Sequence, residues 1–122
     1  MSRRDWKLYI EDIVSSIEKI EEYNQNLDFH AFKENNLVID AVVRNLEVIG
    51  EAAKNVPEEI KKKYSFIPWL QITGLRNKII HAYFVVDLKI IWQIIQKDLP
   101  ELKESIRKII EEKRKNKGSV EK

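Results

Sequence analysis

A chain of 122 residues with no cysteine, 43% hydrophobic and 34% charged residues and a formal net charge of +2 is sized for one continuous core and is too small for two. That composition excludes a disordered tail, a disulfide framework and a thiolate metal site or nucleophile. Three glycines and three prolines are too few for a turn-rich all-β fold.

The net charge hides an uneven distribution. From Ile60 to Val86 there is no acidic residue, while Lys61, Lys62, Lys63, Arg76 and Lys78 all fall in that window. Such a local excess can attract phosphates in a protein that is not basic overall, although a lysine triplet by itself reads equally as a solvated helix face. No apolar run reaches transmembrane length, and "MSRRDWKLYIEDIV" lacks the apolar segment and cleavage site of a signal peptide. The expectation is a cytoplasmic protein with no membrane partner.

Residues 3 to 25 repeat apolar positions at Trp6, Ile10, Ile13, Val14, Ile17 and Ile20, the spacing of an amphipathic helix, with Ser2 and Asp5 as a capping pair. "NQNLDF" reads as a turn. A second long helix follows on Val38, Val42, Leu46, Ile49, Ala53 and Val56, and the short connection makes the two antiparallel. Pro57 opens a brief basic helix, "PEEIKKKY", because proline is tolerated in a first helical turn. After "SFIP" the next helix runs from Pro68 to about Tyr83, carried by Trp69, Ile72, Leu75, Ile79 and Ile80. Asp87 then caps a helix with Leu88, Ile91, Trp92 and Ile95 inward. Pro100 opens the last one, on Leu102, Ile106, Ile109 and Ile110. The reading is an all-α bundle of four to five main helices, a single domain over 1–112, followed by a basic tail over 113–122 that is expected to fray.

One run stands out for chemistry: "GLRNKIIHAYF", which places Arg76, Asn77, His81 and Tyr83 together. At about 100° per residue, Arg76 and Tyr83 lie on nearly one face, as do Asn77 and His81. Arg76 and His81 are offset by roughly 140°, so they are not close neighbours on one straight helix. Either the arginine reaches round a distorted helix end, or it meets the histidine of a second copy across a two-fold axis. Imidazole can exchange a proton at neutral pH and guanidinium supplies a fixed charge for a phosphate. RNA brings its own 2′-hydroxyl nucleophile, so the chemistry needs no metal or cofactor. With His30 and His81 as the only histidines, metal ligation has little to build on. On the residues alone, an ordinary helix surface with one core-facing histidine stays ahead of the enzyme reading.

"RNKIIHAY" matches the R-x(4)-H-x-Y motif, and the chain resembles the HepT-like toxins of the HEPN superfamily. "AVVRNLEVIGEAAKNVP" is similar to that family's second-helix signature, "IPWLQITGLRN" to its approach to the motif, and "IWQIIQKDLPELKESI" to its closing helices. The residue between His81 and Tyr83 departs from the family's usual acidic or polar residue, being Ala82. The resemblance implies a homodimeric helical bundle and a metal-independent endoribonuclease leaving a 2′,3′-cyclic phosphate. It implies the toxin of a toxin–antitoxin pair whose MntA-like nucleotidyltransferase antitoxin uses ATP to adenylylate the motif tyrosine, here Tyr83. His81 would be the general acid–base and Arg76 the phosphate clamp. Asn77, Lys78, Arg44 and Glu47 would support the site or contact the RNA substrate, and Glu51 shares the Arg44 and Glu47 pattern. A solvated charge ladder explains Arg44, Glu47 and Glu51 equally well. Trp69 and Trp92 read as core residues, not RNA-stacking platforms. A non-catalytic partner of a nucleotidyltransferase, and an RNA- or nucleotide-binding module without turnover, are the competing functions.

Overall fold

A computed structural model describes residues 5–79 and 87–120, with side chains to 112. His81 and Tyr83 lie outside the described residues. Every regular element within them is helical: α1 (Trp6–Tyr23), α2 (Phe29–Lys33), α3 (Asn36–Asn55), α4 (Glu58–Lys63), α5 (Trp69–Thr73), α6 (75–79), α7 (Leu88–Gln93) and α8 (Leu99–Val120), with a π-helical turn, Ile94–Asp98, between the last two.

The bundle is organised on α1 and α3, which share the most extensive contact among the described residues. Each buries one stripe. α1 turns Ile10, Ile13, Ile17 and Ile20 inward. α3 answers with Ile39, Val42, Leu46, Ile49 and Ala53. Seven of these nine side chains are fully excluded from solvent, and burying a large aliphatic side chain contributes about 1.5–3 kcal/mol. Both helix starts are fixed by side chains. The Asp5 carboxylate accepts from the Lys7 N–H at 3.0 Å, and the Asn35 side-chain oxygen accepts from the Val38 N–H at 3.0 Å, each satisfying a donor that has no intrahelical partner. Asp5 is therefore itself the N-cap, and Ser2, its expected partner, lies outside the described residues.

Between the two helices, Asn26 takes a left-handed φ of 68°, a conformation asparagine tolerates better than most residues. Asp28 then caps the short α2 by accepting from the Ala31 N–H at 2.8 Å. The expected turn thus contains a helix of its own. α2 closes the far side of the core by packing Phe32, fully buried, 5.1 Å from the Trp92 ring, with Phe29 at 6.0 Å from it. Trp69 is also core, and its indole N–H donates to the Tyr64 carbonyl at 3.1 Å. Both tryptophans are structural, as the sequence suggested.

Two boundaries differ from the sequence expectation. The helix expected from Pro68 onward is interrupted at Gly74, which ends α5 before α6 begins. Pro100 does not open a separate helix. The chain is helical from Leu88 through Val120, and Pro100 is the second residue of α8. The π-helical turn just before it has one extra residue per loop, with the Leu99 N–H donating to the Ile94 carbonyl. A widened turn makes room for a proline ring and absorbs its missing N–H. Pro57, likewise, is the N-cap of α4, its carbonyl accepting from the Ile60 and Lys61 N–H groups at 3.0 Å each.

Candidate functional site

The described part of the motif is α6. Its inward positions are Leu75 and Ile79, one turn apart and both buried, while Arg76, Asn77 and Lys78 are exposed between them. Anchoring by Leu75 and Ile79 is what sends the three polar residues outward.

A glycine on α3 brings α6 to the site. An added Cβ on Gly50 would lie 3.4 Å from the Ile72 carbonyl oxygen, 3.8 Å from that of Thr73 and 3.8 Å from the backbone nitrogen of Arg76. Backbone meets backbone here, a close approach for which glycine is suited. Arg76 consequently enters a cleft of about 330 Å³ whose lining includes Tyr9 and Asp12 of α1 and Arg44, Glu47 and Glu51 of α3. Arg44, Glu47 and Glu51 recur every three or four positions, so they share the face of α3 that borders the cleft.

The cleft is mixed in charge. Among the described residues no ion pair within 4.0 Å involves Arg44, Glu47, Glu51 or Arg76. Arg44, Glu51 and Arg76 are exposed, while Glu47, Tyr9 and Asp12 are half-buried. Two guanidinium groups with no internal carboxylate partner are available to an external anion, for which arginine's planar fork suits phosphate.

Of the residues singled out in the sequence, Arg76, Arg44, Glu47 and Glu51 come together. Lys78 does not join them. It lines a second, larger cleft of about 700 Å³ between α5, α6 and α8, whose lining also includes Asp98 and Glu101. Asn77 is exposed and lines neither cleft. Lys61 is directed back to the end of α3, its Nζ 3.5 Å from the Lys54 carbonyl oxygen and 3.8 Å from Glu58. Lys61, Arg76 and Lys78 of the basic window therefore fall in three different places. Tyr9 and Asp12 are cleft residues the sequence reading missed. Their only signal was position, beside the apolar stripe of α1 and far from the motif along the chain. No group of three or more His, Cys, Asp or Glu side chains able to hold a metal occurs among the described residues. None of the described helices is long and apolar enough to cross a membrane.

An all-α bundle with an exposed Arg-Asn-Lys turn beside an arginine-lined cleft is the arrangement these elements define. Residues 13–109 match the Ribonuclease HepT-like family, and the chain belongs to that family. A relative from Thermococcus cleftensis, named "Probable ribonuclease HepT", is 41% identical over 107 residues, covering 88% of this chain and 97% of its own length. Another, from Methanocaldococcus jannaschii and named "Gamma-glutamylcyclotransferase and putative RNase", is 45% identical over 117 residues. That alignment takes in 96% of this chain but only 53% of the relative, so the chain spans about half of that longer protein. No solved structure is a significant match.

Proposed function

We propose that the protein is a metal-independent endoribonuclease and the toxin of a toxin–antitoxin pair. The observation that supports this most directly is the cleft beside α6, where Arg76 and Arg44 project without ion-pair partners among the described residues in a chain whose relatives carry ribonuclease names. In this reading the RNA 2′-oxygen attacks the adjacent phosphorus and the 5′-oxygen of the next nucleotide leaves, giving a 2′,3′-cyclic phosphate. His81 takes the proton from the 2′-hydroxyl and returns one to the leaving oxygen. Arg76 balances the charge that builds on the phosphoryl oxygens, and Asn77 orients His81 or the substrate.

The helical offset of roughly 140° between Arg76 and His81 makes a homodimer, with one chain's arginine facing the other's histidine, the simplest working unit. Tyr83 is the site at which an MntA-like nucleotidyltransferase antitoxin would attach AMP from ATP. A phosphodiester and a base placed beside an anion-binding site would block RNA by bulk and by charge.

The test is cleavage of RNA by purified, AMP-free protein in EDTA, with end-group analysis. Cyclic phosphate ends, and their loss in both Arg76→Ala and His81→Ala, are expected. Linear 3′-phosphate ends formed without a cyclic intermediate would overturn the mechanism, and full activity in a monomeric variant would overturn the two-chain site.

A further inference from the structure

The carboxylates of the Arg76 cleft are not explained by phosphate binding. A polyanion laid along the whole cleft would meet Asp12, Glu47 and Glu51 as well as Arg44 and Arg76, and like charges at such range oppose binding. Nor do Glu47 and Glu51 serve as internal counter-ions, since neither makes an ion pair among the described residues. A cleft in which Arg44, Arg76, Glu47 and Glu51 make no ion pair among the described residues suits a ligand with an anionic part and a neutral part rich in donors. A nucleotide within single-stranded RNA is such a ligand.

Resting on the ribonuclease reading, we propose that this cleft is a base subsite, and that Glu47 selects an unpaired guanine at it. A carboxylate only accepts hydrogen bonds. On the pairing edge of guanine, N1–H and the 2-amino group are adjacent donors that match the two oxygens of a carboxylate. Adenine and cytosine each place an acceptor beside their single amino group, and uracil flanks its one N–H with two carbonyls, so each would set a lone pair against Glu47.

Of the three acids, Glu47 is the best placed. It is half-buried where Glu51 is exposed, so its oxygens are less hydrated and a mismatched base costs more. It also lies one turn from Arg44 on the same face, which puts a base contact and a phosphate contact within a single nucleotide's reach. Tyr9, a half-buried residue of α1 in the same lining, supplies an aromatic group against which a base can stack. At about 330 Å³ the cleft falls at the small end of ligand sites, the scale of one nucleoside.

The experiment measures binding, so it does not depend on turnover. Fluorescent 2′-O-methyl tetranucleotides, which cannot be cleaved, carry G, A, C or U at one central position against the intact protein. The guanine oligonucleotide should bind about tenfold more tightly than the other three, as expected for hydrogen bonds to a charged group. Glu47→Gln should remove that preference, leaving the other three within about twofold. Inosine, which lacks only the 2-amino group, should forfeit most of the advantage on the wild-type protein, a test that needs no variant to fold. Equal binding of the four bases, no binding at all, full retention by inosine, or a preference that survives Glu47→Gln and falls in Glu51→Gln would each overturn the assignment. Cleavage with no guanine preference would sink the subsite and leave the ribonuclease reading intact. Guanine-selective binding by a protein that never cleaves would do the reverse.

Discussion

Gly50 links the core to the cleft, and its substitution separates the two. Its added Cβ would have ordinary van der Waals neighbours, the nearest being the Ile72 carbonyl oxygen at 3.4 Å. Gly50→Ala should therefore fit. Replacing a mid-helix glycine by alanine reduces the freedom of the unfolded chain and should stabilise the protein by about 0.4–1 kcal/mol. Gly50→Val adds two methyl groups about 1.5 Å beyond that Cβ, at a point where the facing atoms are backbone and cannot rotate away. Overpacking of this kind costs about 1–3 kcal/mol, and its relief requires the α5–α6 junction to retreat from α3, taking Arg76 with it. For a domain of this size each kcal/mol moves Tm by about 4 °C. Thermal unfolding should place Gly50→Ala at or slightly above the wild type and Gly50→Val several degrees below it. RNA binding and cleavage, measured well below both transitions, should fall in Gly50→Val alone. A valine variant with wild-type Tm and undiminished RNA binding would refute the claim that this contact positions Arg76.

The same structure sets three further expectations. Ile13 is fully excluded from solvent between α1 and α3, so Ile13→Ala should cost about 2–5 kcal/mol in urea unfolding; a loss below 1 kcal/mol would mean the site collapses or the packing is wrong. The Tyr64 hydroxyl is buried with no hydrogen-bond partner among the described residues, so Tyr64→Phe should be neutral or stabilising by about 1 kcal/mol, and a marked drop in Tm would reveal a partner. Lys103 Nζ lies 2.7 Å from Glu21 and 3.9 Å from Glu18, an ion-pair group at the protein surface; Lys103→Ala should lower stability by no more than about 1 kcal/mol at low salt, and the difference should shrink in high salt.

The long helices were legible because their apolar spacing extends over many turns, as in Ile10, Ile13, Ile17 and Ile20. α2 was not, because five residues, Phe29–Lys33, are too short for periodicity to rise above the surrounding turn. Pro100 misled for a physical reason: a proline normally marks a helix start, and a π-helical turn that lets it continue a helix leaves no mark on the apolar pattern. The interruption at Gly74 was similarly hidden, since Trp69, Ile72, Leu75 and Ile79 keep helical spacing across it. Within the site, Arg44, Glu47 and Glu51 could be grouped from their spacing on one helix. That they would meet Arg76 depended on Gly50 lying between Glu47 and Glu51, and that Tyr9 and Asp12 would join them depended on the α1–α3 crossing. Spacing along one segment carries neither fact.

The dispersal of the basic window changes what salt should do to RNA binding. Read from the sequence, Lys61, Lys62, Lys63, Arg76 and Lys78 invite a continuous basic stripe. In the fold Lys61 faces the end of α3, Lys78 opens on the cleft with Asp98 and Glu101, and Arg76 shares its cleft with Arg44. For a single strand, each phosphate neutralised contributes about −0.7 to the slope of log K against log salt. Two contacts per cleft give about −1.4, whereas a five-cation stripe would give about −3.5. If two chains act on one strand in a dimer, the clefts give about −2.8 and two stripes about −7. A salt titration with uncleavable 2′-O-methyl RNA distinguishes these values, and Arg44→Ala should flatten the slope by about 0.7 per cleft. If Arg44→Ala leaves the slope unchanged while Lys61→Ala or Lys78→Ala flattens it, the RNA backbone follows another surface, and the cleft beside Arg76 is not where the phosphate sits.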